Sequence, residues 1–336
     1  MKRHKICKII LVILTVFLCV AFYELIGICI TYKKQQAVSD ATIKETQNIM
    51  SVAGRENTER AVIIEKNSQA LLERVRLIQN AKDEIILSTF AFKSDESGKL
   101  ILGALHDAAD RGVHVRILVD GMESWIDMEG NPYFYGLSSH ENVEIKLYNK
   151  ANPLKPWKTM GRMHDKYLIA DGKIYILGGR NTYNYFLGDF PGHKNFDRDV
   201  LVVCDEPQKD NSVNQLWNYF ETIWEQEDCR YFHNSKKLAD RQSVKKAVLE
   251  LQEGYQQYFE VNKEKICDTD YADETFETEK ITLLSNPIHT GAKEPVVWYQ
   301  LGELMKNAKE RVKIHTPYII CNDMMYNTWE EIAQKV

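Results

Sequence analysis

The sequence predicts an α/β protein carried behind an N-terminal transmembrane helix. Three observations predict it. Residues 9–32 are almost continuously apolar, and strand-like runs alternate with amphipathic helical ones from residue 61 onward. The whole chain of 336 residues is 44% hydrophobic and 27% charged, a globular balance that excludes disordered, collagenous and coiled-coil classes.

The apolar run IILVILTVFLCVAFYELIGICITY, Ile9 to Tyr32, is broken only by Glu24. At about 1.5 Å per residue it is long enough for the roughly 30 Å hydrocarbon core. A cleaved signal peptide has an apolar core of roughly 7–15 residues and a small-residue cleavage site, and neither is present. Lys2, Arg3, Lys5 and Lys8 precede the run, while Lys33 and Lys34 follow it. The positive-inside bias therefore predicts a single-pass anchor over residues 1–32 in the cell membrane. The N-terminus would be cytoplasmic and the body extracytoplasmic.

Residues 33–60 are polar and aperiodic, which predicts a tether. Residues 61–227 predict a first lobe. SQALLERVRLIQNAKD sets Leu71, Leu72, Val75, Ile78 and Ala81 on one helical stripe. EIILSTFAF reads as a strand, GKLILGALHDAADRG as a helix ending at Gly112, and VHVRILVDG and VEIKLYN as buried strands. This alternation predicts a mostly parallel sheet covered on both faces. MHDKYLIADGKIYILGG reads as two strands joined at Asp171-Gly172, DVLVVCD as another strand, and VNQLWNYFETIW as an amphipathic helix.

Residues 228–280 are helical and charged, then acidic, and predict a solvated connector. In residues 281–336 the opening of the first lobe recurs. Asn80-Ala81-Lys82-Asp83-Glu84, strand, Thr89 matches Asn307-Ala308-Lys309-Glu310-Arg311, strand, Thr316, at a constant offset of 227 residues. A duplicated architecture is expected, with the second copy incomplete at Val336.

Charge narrows the partners. The chain carries 43 Lys/Arg and 48 Asp/Glu, a net charge of −5, and residues outside the anchor carry −8. An acidic body argues against nucleic acid as a partner. Of seven cysteines, Cys204, Cys229, Cys267 and Cys321 lie in the body, with no C-x-x-C pair and no histidine at ligand spacing. This argues against zinc and leaves any disulfide pairing open.

The chemistry-bearing sequence is His164-Asp165-Lys166-Tyr167-Leu168-Ile169-Ala170-Asp171, an H-x-K-x(4)-D pattern followed by Gly178-Gly179-Arg180-Asn181. On an extended chain, residues i and i+2 share a face, so His164 and Lys166 point together and Asp165 points away. An imidazole beside an ammonium suits a phosphate. The ammonium stabilises charge on the non-bridging oxygens, and a neutral imidazole attacks phosphorus or shuttles a proton. Gly179 lets the backbone come close, and the Asn181 amide can donate to the same oxygens.

This stretch resembles the HKD motif of the phospholipase D superfamily. GRMHDKYLIADGKIYILGGRN, FDRDVLVV and HTPYIICND together resemble bacterial cardiolipin synthases. The resemblance covers about residues 60–336 and departs from most relatives in having G-G-R-N where they carry G-S-x-N. It implies a phospholipase D-like α/β/α lobe and a phosphatidyltransferase working through a phosphohistidine, with His164 either forming that covalent bond or acting as general acid opposite a partner histidine. Lys166, Gly179 and Asn181 would hold the phosphate, and Asp199 would orient the histidine. Asp171 gives the motif its final residue, although its place at a turn reads as structural. Phospholipid substrates such as phosphatidylglycerol are implied, with no metal and no organic cofactor. A phospholipase D-like phosphodiesterase or nuclease, or a non-catalytic remnant, is the alternative.

Family members unite two such motifs, and this sequence holds one. The second histidine is expected near position 391, so a homodimer or a missing C-terminal half would complete the site; truncation is the favoured expectation. Trp157, Met160, Met163, Tyr183, Tyr185 and Phe186 are candidate acyl-chain contacts.

Overall fold

The computed structural model describes residues 2–33, 35–51, 59–208, 210–316 and 318–336. In chain order, the first elements are α1 (Lys2–Tyr32), α2 (Asp40–Ser51), β1 (Glu59–Ile64), α3 (Asn67–Asn80), β2 (Glu84–Thr89), α4 (Glu96–Asp110) and β3 (His114–Asp120). Next come α5 (Gly121–Asp127), α6 (Pro132–Ser138), β4 (Val143–Tyr148), β5 (Tyr167–Ala170), β6 (Ile174–Gly178) and β7 (Asp199–Cys204). The chain continues through α7 (Ser212–Trp224), β8 (Cys229–Tyr231), α8 (Gln242–Ile266), β9 (Phe276–Glu277), α9 (Val296–Lys306) and α10 (Asp323–Ala333).

The described residues form two compact units. The larger holds those between 56 and 154 and between 159 and 281; the smaller holds the rest. In the larger unit nine strands make one sheet in the order β8-β4-β3-β2-β5-β6-β7-β1-β9. The expected α/β class stands, but the sheet is mixed rather than mostly parallel. Only β2–β3 and β3–β4 pair in parallel. The cause is local. Asp171 and Gly172, both at positive φ, close a tight turn in which the Lys173 amide donates to Ala170, and strands joined so tightly must run antiparallel.

Side-chain alternation sorts the two faces. Ile85, Leu87, Val115, Ile117, Val119 and Leu168 join the main core with residues of α3, α4, α6 and α8. The opposite face is covered by α7. There Arg116 pairs with Glu221 at 2.6 Å and its guanidinium lies 4.8 Å from the Phe220 ring centre. Burying this charge is tolerable because Glu84 also takes it, at 2.7 Å.

Two segment expectations are revised. In the expected tether, residues 40–51 are helical and residues 59–60 begin a strand paired with β7; residues 52–58 lie outside the described residues. The expected connector is part of the lobe. Its β8 pairs with β4, and α8 packs so closely on α4 that a Cβ at Gly103 would strike the Leu251 carbonyl. Charged residues on the outer face of α8 concealed the stripe Val244, Ala247, Leu251, Tyr255, which is buried.

In the smaller unit, α1 is long and apolar enough, by length and composition, to cross a membrane. α9 and α10 meet through the rings of Trp298 and Trp329, 5.4 Å apart, and a Lys306–Glu331 pair at 2.7 Å. In sequence, α9 falls at the offset of 227 residues from α3. The strand expected after it is not formed among the described residues. Ile314, Tyr318, Ile319 and Ile320 are exposed there, with no neighbouring strand to complete a ladder.

Candidate active site

His164 and Lys166 immediately precede β5. The Gly178 amide donates to the Lys166 carbonyl at 3.1 Å, so the extended pairing with β6 continues back to this residue. The alternation follows from it. Asp165 turns toward α7, where the Tyr219 hydroxyl donates to it at 2.8 Å. The other two turn onto Phe90, just beyond the end of β2. The His164 ring meets Phe90 edge-on at 4.6 Å, and the Lys166 ammonium stands 5.2 Å from the same ring centre. The sequence-expected pair is thus brought together over one aromatic surface.

Their electrostatics suit phosphate chemistry. Burial pushes the Lys166 ammonium down to about 8, against the pull of Asp165, Asp197 and Asp120. Partial desolvation of the ring, in a residue that stays exposed as a whole, then the Lys166 and Arg162 cations, also push His164 below the usual histidine value, with Asp120 opposing. The shift favours the neutral imidazole, the form with a lone pair for attack.

Asn181 is buried and lies on this edge. Its Oδ1 accepts from the Ala91 amide at 3.1 Å, and its Nδ2 has no protein partner among the described residues. The adjoining glycines have a steric cause. A Cβ at Gly178 would collide with the Asp199 carboxylate, and one at Gly179 with the Asp197 carboxylate. The G-G pair therefore makes room for two acids.

Two expected site residues stand elsewhere. Asp171 lies beyond the far end of β5, roughly 16 Å of extended chain from Lys166. Its carboxylate accepts from the amides of Lys82, Asp83 and Glu84 at 2.8–3.2 Å, fastening the β5–β6 turn to the start of β2. Asp199 is fully buried between Arg74, at 2.9 Å, and Arg180, at 3.2 Å. Both contacts use Oδ2, and no hydrogen bond among the described residues runs from Asp199 to His164. Among the described residues no hydrogen bond reaches the His164 ring.

The acid that sequence reasoning missed is Asp197, in the same FDRD tract, packed against Gly179 and acting on Lys166. The two-residue spacing of Asp197 and Asp199 was the available signal. Of the expected acyl-chain contacts, Met160 is exposed, whereas Met163 and Phe186 are core residues; Trp157 belongs to the smaller unit. Among the described residues no disulfide joins the cysteines, and no group of three or more potential ligands is arranged for a metal.

A family model described as "Cardiolipin synthase, PLD-like domain" matches residues 75–224, which contain His164, Lys166 and Asn181. Residues 75–224 are a phospholipase D-like domain. An uncharacterised protein of Helicobacter pylori strain 26695 is 27% identical over 307 residues, covering 83% of this chain and 58% of that one. Cardiolipin synthase C of Escherichia coli K12 is 29% identical over 154 residues, covering 42% of this chain and 31% of that one. A phosphatidylserine synthase of Haemophilus influenzae aligns with a TM-score of 0.44 at 14% identity, covering 66% of this chain and 48% of that one. The chain spans less than two thirds of the length of these curated relatives. The phospholipase D-like domain carries its His-x-Lys pair at the sheet edge where β2 and β3 end and β5 begins.

Proposed function

We propose that the protein is a membrane-anchored phosphatidyltransferase of the cardiolipin synthase type, with His164 as one of its two active imidazoles. The observation that carries this reading is the placing of the His164 ring and the Lys166 ammonium over Phe90, on the same edge as Asn181, whose Nδ2 has no protein partner among the described residues. A ring nitrogen of His164 forms the bond to phosphorus while the P–O bond to the leaving alcohol breaks. That alcohol takes its proton from the opposing imidazolium. The acceptor hydroxyl of a second lipid then gives up its proton to the same imidazole, attacks the phosphohistidine and frees His164. Lys166 and Asn181 stabilise the charge on the non-bridging oxygens in both steps.

The second imidazole is assigned to another copy of the chain or to further sequence, because H-x-K occurs once in these 336 residues. The α1 helix, taken as a membrane anchor, supports the lipid reading: it holds the domain near its substrate and raises effective concentration. The N-terminal basic residues support a cytoplasmic N-terminus.

The test is incubation of the full chain in vesicles with labelled phosphatidylglycerol, alone and with any downstream sequence restored, beside a parallel incubation with single-stranded DNA. Labelled cardiolipin together with an acid-labile phosphohistidine is expected. Nicked DNA without a lipid product would replace this reading with a nuclease, and inactivity of both forms toward both substrates would leave a non-catalytic domain.

A further inference from the structure

The phospholipase D-like domain leaves an open question of geometry: no hydrogen bond among the described residues holds the His164 ring, yet attack on phosphorus needs the ring fixed. Asp120, the last residue of β3, supplies the fixing from the side. It is 1% exposed, and its carboxylate gathers donors from three directions. Its Oδ1 accepts from the amides of Met122 and Glu123, at 3.0 and 3.3 Å, which caps α5. Its Oδ2 accepts from the Met163 amide at 3.1 Å. The Arg162 guanidinium donates Nε to both oxygens, at 2.9 and 3.0 Å, and Nη2 to Oδ1 at 2.6 Å.

Residues 162 and 163 are thus fastened, one by side chain and one by backbone, immediately before His164. The same Arg162 guanidinium lies 5.1 Å from the Phe90 ring centre, so Phe90 sits between Arg162, His164 and Lys166. Capping α5 would require only one carboxylate oxygen. The additional grip on Arg162 and Met163 spans 42 and 43 residues of sequence and ends at the reacting side chain.

We propose that Asp120 is a positioning residue of this site: through the Arg162 fork and the Met163 amide it fixes the approach of the chain to His164 and holds the imidazole against Phe90. The proposal rests on the reading of His164 as an active imidazole, but its geometric part can be tested without turnover. The charged groups acting on His164 are Lys166 and Arg162, which disfavour its protonation, and Asp120, which favours it. Asp165 is turned to Tyr219, and Asp197 acts on Lys166. Neutralising Asp120 therefore removes the one favouring charge and releases Arg162 from its main counter-ion.

The experiment uses the full chain in nanodiscs with ¹³Cε1-labelled histidine, the His164 signal being assigned by its loss in His164→Ala. In Asp120→Asn the His164 midpoint is expected to fall by about half to one unit. Phosphohistidine formation is expected to slow at least tenfold, while circular dichroism stays unchanged. Arg162→Lys, which keeps the charge but loses the planar fork, is expected to slow phosphohistidine formation without lowering the midpoint. An unchanged His164 signal and rate in both variants overturns the positioning role. If Asp120→Asn fails to fold, Arg162→Lys alone decides by the same rate. If the His164 shift appears but His164→Ala still forms product, the functional reading fails and the geometric one survives.

Discussion

Two corners of one sheet edge hold ionisable groups under opposite regimes. At the start of β7, Asp199 lies between Arg74 and Arg180; Arg180 also donates to Asn67 and to the carbonyls of Ile64, Glu65 and Asp197. Before β5, among the described residues, the His164 ring has no hydrogen bond and the Lys166 ammonium donates to the His164 carbonyl alone. The Asp199 carboxylate is sealed from solvent, its Oδ2 shared by two guanidinium groups and its Oδ1 without a hydrogen-bond partner among the described residues, whereas His164 stands exposed at the open edge. The contrast sets Asp199 apart from His164 and Lys166, although all three lie within the matched residues 75–224.

The strongest way to break that contrast is His164→Ala. In a catalytically complete assembly, loss of the attacking imidazole is expected to lower lipid turnover by at least about a thousandfold. Because His164 is exposed, the denaturation midpoint should hardly move, within about 0.5 kcal/mol. Labelled-lipid turnover and a urea titration check the two halves, and retained turnover would remove His164 from the reaction. Asp199→Ala should do the reverse. It strands two buried guanidinium groups and is expected to cost about 3–5 kcal/mol of stability, read from the same titration. A stable Asp199→Ala variant with lost turnover would give Asp199 the histidine-orienting role that the resemblance implies.

Much of this organisation was legible in the sequence because period and spacing carry it. Strand alternation gave the opposite facing of Asp165 and Lys166, and the stripes of α3 and α7 gave their buried faces. The parallel expectation failed where hairpins replace crossovers: a helix–strand alternation is visible in residues 67–148, but β5, β6 and β7 form a meander whose direction depends on tight turns. The role of Asp199 was not legible, since Arg74 lies 125 residues away and reading its partner needs the fold. Asp197 was missed for the same reason. Its significance appears only when it is found filling the space beside Gly179.

Asp171 offers a smaller test of the same contrast, because it closes the motif in sequence but not in space. Asp171→Ala removes the acceptor for three backbone amides and places alanine at φ +52°. A loss of about 1–3 kcal/mol is expected, with turnover per folded molecule nearly unchanged. A large drop in turnover without a change in stability would move Asp171 into the chemistry.

The subtlest test is the basic limb of the pH profile. A Lys166 value of about 8 means that the ammonium is present below that pH and lost above it. Turnover that needs its charge should therefore halve near pH 8 and then fall about tenfold per unit. The sign for stability is opposite. The lysine's ordinary value is 10.5, so between about pH 8 and 10.5 the unfolded chain binds the extra proton and the fold gains stability as pH rises. A rate that falls while the denaturation midpoint rises separates loss of the catalytic charge from unfolding. Lys166→Arg stays protonated throughout this range and should erase the basic limb even at a lower maximal rate. If the limb persists in that variant, the titrating group is not Lys166, and the charge that holds the phosphate must be sought elsewhere on the sheet edge.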